Sequence, residues 1–181
     1  MRFLLTVYLC LFAGFASADD LSALKQPGVV ALMRHALAPG TGDPSDFALG
    51  DCATQRNLDA RGRDQARRTG QALRAAGVTF GQIWTSQWCR TRDTAHLLNL
   101  GEVTEQPTLN SFYAGQGDAK AQTEQTLELI QSLPTDARLL IVTHQVNITA
   151  LTGLGVSSGE IIIARRTPEG LAVSGRFMIA P

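Results

Sequence analysis

Two apolar runs constrain the fold of this chain most strongly: VVALM at residues 29–33 and RLLIVT at residues 138–143. Each run is long enough for a buried strand and too short for a buried helix. The segments between them repeat apolar residues at helical spacing. Strands that alternate with helices form a mostly parallel sheet with helices on both faces. The sequence therefore predicts an α/β three-layer sandwich.

The remaining elements follow from the same patterns. A short strand is predicted at residues 82–86, before a helix at 89–100. The first long helix has Asp59 as its expected N-cap and Gly77 as its expected end. EIIIARR and LAVSGRFMI, joined by the turn TPEG, predict a C-terminal hairpin at one edge of the sheet. Further helices are predicted at 58–77, 120–133 and 146–154.

The N-terminus has the pattern of a secretory signal peptide. Arg2 precedes a short apolar stretch that ends in Ala16-Ser17-Ala18. The stretch is short for a membrane span, although an uncleaved anchor is the alternative interpretation. We expect a signal peptide at 1–18 and one domain at 19–181, exported to the periplasm or secreted, without stable membrane insertion after cleavage.

The charge balance argues against a nucleic-acid partner, and the cysteine content raises the question of a disulfide. The whole chain has 16 basic and 16 acidic residues, whereas a nucleic-acid-binding domain needs a basic surplus. Cys52 and Cys89 remain after the predicted cleavage. An exported chain favours a disulfide between them, but two buried free thiols fit the sequence nearly as well.

Polar residues follow three of the predicted strands. Arg34 and His35 end the first apolar run, His144 ends the second, and Arg90 follows the short strand within its next helix. The carboxyl ends of parallel strands form the ligand-binding edge of such sheets. We therefore expect these four side chains to converge. His96 is predicted to lie on a helix face, away from them.

Four cationic or cation-forming side chains repel one another unless an anion lies between them. The forked guanidinium group matches the oxygens of a phosphate group. A neutral imidazole is a nucleophile near neutral pH. The pattern predicts phosphoryl transfer, in which one histidine attacks while the other groups stabilise the charge.

Four sequence blocks resemble the histidine phosphatase superfamily, also called the phosphoglycerate-mutase-like family. LMRHA is similar to its Arg-His-Gly signature, and IVTHQVNI to its second-histidine motif. The blocks occur in the family's order: LMRHA (32–36), RNLDARGRDQA (56–66), TSQWCRTRDTA (85–95) and IVTHQVNI (141–148).

The resemblance implies a phosphohistidine intermediate on His35, without a metal or other cofactor. Arg34, Arg90 and His144 would form the phosphate pocket, and water would hydrolyse the phosphoenzyme. Arg56 is a further candidate for substrate contact, with a solvated surface position as the alternative.

The sequence departs from the family pattern at three positions. Ala36 stands where the motif has Gly. Ser111 and Gln145 stand where different branches of the family carry the acid that protonates the leaving group. Asp118, Glu124 and Asp43 are the remaining candidates for this proton donor, and a water molecule is another.

The sequence thus predicts an exported, metal-independent phosphatase that acts on a phosphomonoester. Its expected partner is a small phosphorylated substrate, with a phosphosugar as a candidate. The signal pattern, the size and THQVNITALTG resemble exported family members that act on phosphorylated heptose of the lipopolysaccharide core. The alternatives are a phosphate-binding module with weak or no catalysis and a phosphohistidine-protein phosphatase.

Overall fold

The computed structural model describes residues 18–181. Residues 1–17, which carry nearly all of the predicted signal peptide, lie outside the described residues. The strands are β1 (Val29–Arg34), β2 (Gln82–Thr85), β3 (Val103–Glu105), β4 (Leu139–Thr143), β5 (Ile161–Thr167) and β6 (Gly170–Phe177). The helices are α1 (Ala18–Ala23), α2 (Ala60–Ala75), α3 (Cys89–Leu98), α4 (Ala119–Ser132) and α5 (Gln145–Thr152).

The six strands form one sheet in the order β3-β2-β4-β1-β5-β6. The first four strands in this order are parallel, whereas β5 runs antiparallel to β1 and pairs with β6 as a hairpin. The mostly parallel sheet and the hairpin at its edge confirm the predicted fold class. The sequence analysis missed β3, a three-residue edge strand without a long apolar run.

Helices cover both faces of the sheet. Alternate residues of β1 point to opposite faces: Ala31 and Met33 pack with residues of α2 and α3, while Val30 and Leu32 pack with residues of α4 and α5. The central strands are therefore apolar on both faces, as a doubly covered parallel sheet requires.

Both ends of α2 are set by the residues that stand there. Asp59 caps α2 by accepting a hydrogen bond from Gly62 N at 2.7 Å, as predicted. Gly77, with φ of +72°, follows α2 in the left-handed conformation that glycine adopts readily. No helix within residues 18–181 is long and apolar enough to cross a membrane.

The register of the β1–β4 pair places the predicted site residues at one edge of the sheet. Arg34, the last residue of β1, pairs with Thr143, the last residue of β4. His35 N then donates to Thr143 O at 2.9 Å, so that His35 and His144 leave adjacent strands at the same level. The order of the strands thus brings the two histidines together.

A disulfide joins Cys52, in the loop between β1 and α2, to Cys89, the first residue of α3. Their Cα atoms are 5.7 Å apart, within the usual range for such a bond. Of the two interpretations that the sequence left open, the structure has the disulfide. It fastens the loop after β1 to the residue before Arg90.

Candidate functional site

A cavity of about 220 Å³ opens at the carboxyl edge of the sheet, where β1 and β4 end. Residues from both strand ends, from α3 and from the loop after β1 line it. The structure brings the four predicted residues and Arg56 to this cavity. Its lining residues are Arg34, His35, Gly40, Thr41, Gly42, Asp43, Arg56, Arg90, Ser111, Tyr113, His144, Gln145 and Val146.

His35 is almost fully buried in the wall of this cavity. Its Nδ1 lies 2.8 Å from the carbonyl oxygen of Ala36, to which only a protonated nitrogen can donate. In the neutral ring Nε2 therefore keeps its lone pair. Burial first, and then the charges of Arg90, Arg34 and Arg56, hold the pKa of His35 well below its usual value. The ring is neutral at pH 7 and is a competent nucleophile at Nε2.

His144 takes its tautomer from a chain of hydroxyl groups. Thr91 Oγ1 lies 2.8 Å from the carbonyl oxygen of Trp88, to which it donates, so it can accept from Ser86 Oγ at 2.6 Å. Ser86 Oγ is then free to accept from His144 Nε2 at 2.8 Å. The other ring nitrogen, Nδ1, remains for a ligand in the cavity.

The pKa of His144 is also held well below its usual value, by burial first and then by Arg90 and His35. An anion in the cavity opposes these effects, because a nearby negative charge favours the protonated ring. His144 can therefore gain a proton when an anion binds and donate a hydrogen bond to it from Nδ1.

Arg34 and Arg90 each present a buried nitrogen without a partner. Arg34 Nη1 donates to the carbonyl oxygen of Val156 at 3.0 Å, but Arg34 Nε has no hydrogen-bond partner. Arg90 is 3% exposed, and its Nε is also unpaired. A buried donor without a partner costs about 1–3 kcal/mol. Both residues line the cavity, so a ligand with acceptor oxygens would meet two guanidinium groups there.

Arg56 is held at the cavity rather than solvated on the surface. Its Nε donates to the carbonyl oxygen of Gly42 at 2.7 Å and its Nη1 to that of Ala38 at 2.5 Å. Burial, together with the charge of Arg90, lowers the pKa of Arg56 to about 10. Arg56 therefore stays cationic at neutral pH and is a third guanidinium group at the site.

Asp43 supplies a negative charge within the site. Its carboxylate accepts from Arg90 Nη1 at 2.7 Å and from Arg90 Nη2 at 3.1 Å. It also accepts from Trp88 Nε1 at 3.0 Å and from Arg56 N at 3.1 Å. Although burial opposes ionisation, the hydrogen bonds and charge of Arg90 lower the pKa of this carboxyl group.

Comparisons with known proteins support the assignment that the motifs indicated. The family profile described as histidine phosphatase superfamily (branch 1) matches residues 30–124, more than half of the chain. The chain belongs to the histidine phosphatase superfamily. No curated protein sequence matches it.

Solved structures share the superfamily fold at low sequence identity. The protein histidine phosphatase SixA complexed with tungstate is 18% identical, with a TM-score of 0.57 over 83% of this chain and 96% of the other. The phosphoserine phosphatase from Entamoeba histolytica in complex with 3-phosphoglyceric acid is 13% identical, with a TM-score of 0.58 over 83% and 97%. TTHB049 from Thermus thermophilus is 18% identical, with a TM-score of 0.59 over 83% and 99%.

This superfamily member lacks a carboxyl group at both usual acid positions. Ser111 and Gln145 line the cavity there. Of the alternatives, Asp118 caps α4 by accepting from Ala121 N, and the exposed Glu124 pairs with Lys120. Neither lines the cavity. Asp43 is the one carboxyl group among the cavity's lining residues.

His96 and Trp88, both near Arg90 in the sequence, differ in their relation to the site. His96 lies exposed on α3, as expected, and does not line the cavity. Trp88 contacts the site: its ring lies edge-on to His144 with 5.4 Å between the ring centroids, and its Nε1 donates to Asp43. Its position directly before Cys89-Arg90 was the one available signal. Within residues 18–181, no group of three His, Cys, Asp or Glu side chains is placed to hold a metal ion.

Proposed function

We propose that this chain is a phosphatase that hydrolyses a phosphomonoester through a phosphohistidine on His35. One observation carries the proposal: a neutral histidine with a free Nε2 lines a cavity that also contains three guanidinium groups. A phosphoryl group in that cavity would meet both its nucleophile and its counter-charges. Membership of a superfamily of phosphatases supports the same reaction.

Each side chain then has a part in the proposed reaction. Arg34 and Arg90, which line the cavity, donate to the phosphoryl oxygens from their guanidinium groups. His144 donates from Nδ1 and, with the N-terminus of α5, stabilises charge that develops in the transition state. His35 Nε2 attacks phosphorus, and water then hydrolyses the N–P bond. Arg56 contacts the substrate from the loop side of the cavity.

Hydrolysis of p-nitrophenyl phosphate in the presence of EDTA tests this function. We expect the wild type to release p-nitrophenol without added metal and His35→Ala to lose at least about 100-fold in kcat. His96→Ala is the matched control, since His96 is exposed on α3 and should leave the rate unchanged. Equal rates in the wild type and His35→Ala, or activity that EDTA abolishes and zinc or magnesium restores, would contradict the proposal.

The proposed substrate is a small phosphorylated molecule, with a phosphosugar as the candidate. A second cavity of about 380 Å³ shares Ser111 with the first. The stacked rings of Phe47 and Trp88 and several amide side chains line it. Aromatic faces with amide donors and acceptors suit a neutral, hydroxyl-rich group. A lower kcat/KM for a hexose phosphate than for glycerol 2-phosphate would contradict this preference.

A phosphohistidine in a partner protein is the second candidate substrate. It is favoured by the similarity to a structure described as a protein histidine phosphatase. A phosphate-binding module without turnover is a further alternative, although a binding module has no need for a free imidazole nucleophile. Binding of phosphate without hydrolysis of any ester would identify such a module.

We further propose that the protein works in the periplasm or outside the cell. The pattern of residues 1–18 supports export, and the Cys52–Cys89 disulfide suits an oxidising compartment. N-terminal sequencing of the mature protein should begin at Asp19. A cytoplasmic protein that retains Met1 would contradict export.

A further inference from the structure

The cavity already contains an anion that belongs to the protein. The side chain of Asp43 is only 6% exposed, and four donors hold its carboxylate: the two Nη atoms of Arg90, the indole of Trp88 and the backbone of Arg56. This is the kind of donor set that a phosphoryl group requires. Asp43 therefore accepts from both Nη atoms of Arg90, the same guanidinium group that the substrate needs.

Asp43 lies on the loop after β1, among the cationic side chains of the cavity. The segment before it contains Gly40 and Gly42, with φ of +91° and +71°. The far end of the same loop is fixed by the Cys52–Cys89 disulfide. Besides Arg90 and Asp43 itself, the charged or titratable side chains that line the cavity are Arg34, His35, Arg56, Tyr113 and His144. Once a phosphoryl group takes hydrogen bonds from Arg90, Asp43 shares its cation with a second anion.

We propose that Asp43 is the proton donor to the leaving group. The substrate frees the Asp43 carboxyl group when its phosphoryl oxygens accept the hydrogen bonds of the two Nη atoms of Arg90. This inference rests on the function proposed above. A carboxyl group beside a phosphate dianion favours its protonated form, because like charges at close range disfavour ionisation. Asp43 thereby supplies the acid that Ser111 and Gln145 cannot supply.

The reaction balances with these groups and one proton from solvent, which the Asp43 carboxylate takes up when the substrate binds. His35 Nε2 forms a bond to phosphorus as the bond from phosphorus to the leaving oxygen breaks. That oxygen takes the proton of the Asp43 carboxyl group and departs as an alcohol. In the second step a water oxygen bonds to phosphorus, its proton passes to the Asp43 carboxylate, and the N–P electron pair returns to His35. Product release lets Asp43 lose this proton to solvent and pair again with Arg90.

Dependence on the leaving group tests the proposal. The variant is Asp43→Asn, and kcat/KM is measured for glycerol 2-phosphate and for p-nitrophenyl phosphate. An alkoxide needs a proton to leave, whereas p-nitrophenolate leaves without one. We expect kcat/KM for glycerol 2-phosphate to fall by about 10²–10⁴-fold and that for p-nitrophenyl phosphate by less than about tenfold.

Two further variants and one binding measurement complete the test. Asp46→Asn is the matched control, because Asp46 lies exposed in the same loop and outside the cavity. Asp43→Glu keeps a carboxyl group and should recover part of the activity on glycerol 2-phosphate. Inorganic phosphate should inhibit Asp43→Asn at least as tightly as it inhibits the wild type, because the substitution removes the carboxylate that competes for Arg90.

A role for Asp43 in merely positioning Arg90 predicts the opposite results. Both substrates would then slow by the same factor in Asp43→Asn, and inorganic phosphate would bind more weakly. Either result overturns the proposal. The proposed function fails separately, if the wild type hydrolyses neither ester or if His35→Ala remains as active as the wild type.

Discussion

At the scale of single residues, the cavity brings three guanidinium groups and two imidazoles together with the single carboxylate of Asp43. Arg34 Nε and Arg90 Nε are buried and unpaired, and burial and mutual repulsion lower the pKa of Arg34 and of both histidines. These features cost free energy in the folded state and gain it back when an anion binds. The site is thus destabilised in a way that a phosphoryl group can relieve.

Phosphate and vanadate should therefore raise the melting temperature. A ligand that binds only the folded state stabilises it by about 2.7 kcal/mol at a hundredfold excess over Kd. This corresponds to roughly 5–10 °C for a domain of this size. Arg90→Lys should lose most of the rise, because lysine keeps a charge for Asp43 but lacks the fork.

Arg92→Lys is the control for this measurement. Arg92 lies on the same helix, two residues after Arg90, and pairs with Glu105 outside the cavity. It should retain the full phosphate shift. A shift that is as large in Arg90→Lys as in the wild type would show that Arg90 does not contact the anion.

At the scale of elements, α2 fixes the backbone that carries the nucleophile. Gln65 Oε1 accepts from Leu37 N at 2.9 Å, two residues after His35. The helix approaches so closely that a Cβ on Gly62 would lie 1.9 Å from the carbonyl oxygen of Leu37. The block RNLDARGRDQA thus has a physical reason for its glycine and its glutamine.

Gly62→Ala should destabilise the protein although alanine favours helices over glycine by about 1 kcal/mol. The added methyl group must push Leu37 away, at an expected net cost of about 1–3 kcal/mol. The displaced backbone should also reduce kcat/KM for p-nitrophenyl phosphate. Thermal unfolding and steady-state kinetics check both effects.

Gly155→Ala is the matched glycine control, because a Cβ there meets no atom within 4 Å. It should change neither the melting temperature nor kcat/KM. If Gly62→Ala behaves like Gly155→Ala, the close packing of α2 does not position the nucleophile.

At the scale of the whole molecule, the sequence predicted the strands, the helices and the site residues that lie where these elements begin or end. The apolar runs of β1 and β4 identified buried strands, and parallel pairing then brought Arg34, His35 and His144 to one edge. The positions of these residues follow from strand order, which the alternation of strands and helices constrains. The sequence also located Arg90, because it lies in the first turn of the helix after β2.

Contacts made by the long loop after β1 could not be predicted in this way. The Asp43–Arg90 pair joins residues 47 positions apart, and neither hydrophobic spacing nor turn chemistry encodes it. Asp43, Asp118 and Glu124 were equivalent candidates in the sequence, and only their spatial positions separate them. The choice between a disulfide and two thiols likewise required the distance between Cys52 and Cys89.

The most direct test of the account is to trap the phosphoenzyme. The wild type is mixed with a radiolabelled phosphomonoester, quenched within milliseconds and digested, and the labelled peptide is identified. We expect label that is labile in acid and stable in base, on the peptide that contains His35, and none in His35→Ala. Label on a hydroxyl side chain such as Ser111, or turnover by the wild type with no labelled histidine, would contradict the phosphohistidine mechanism.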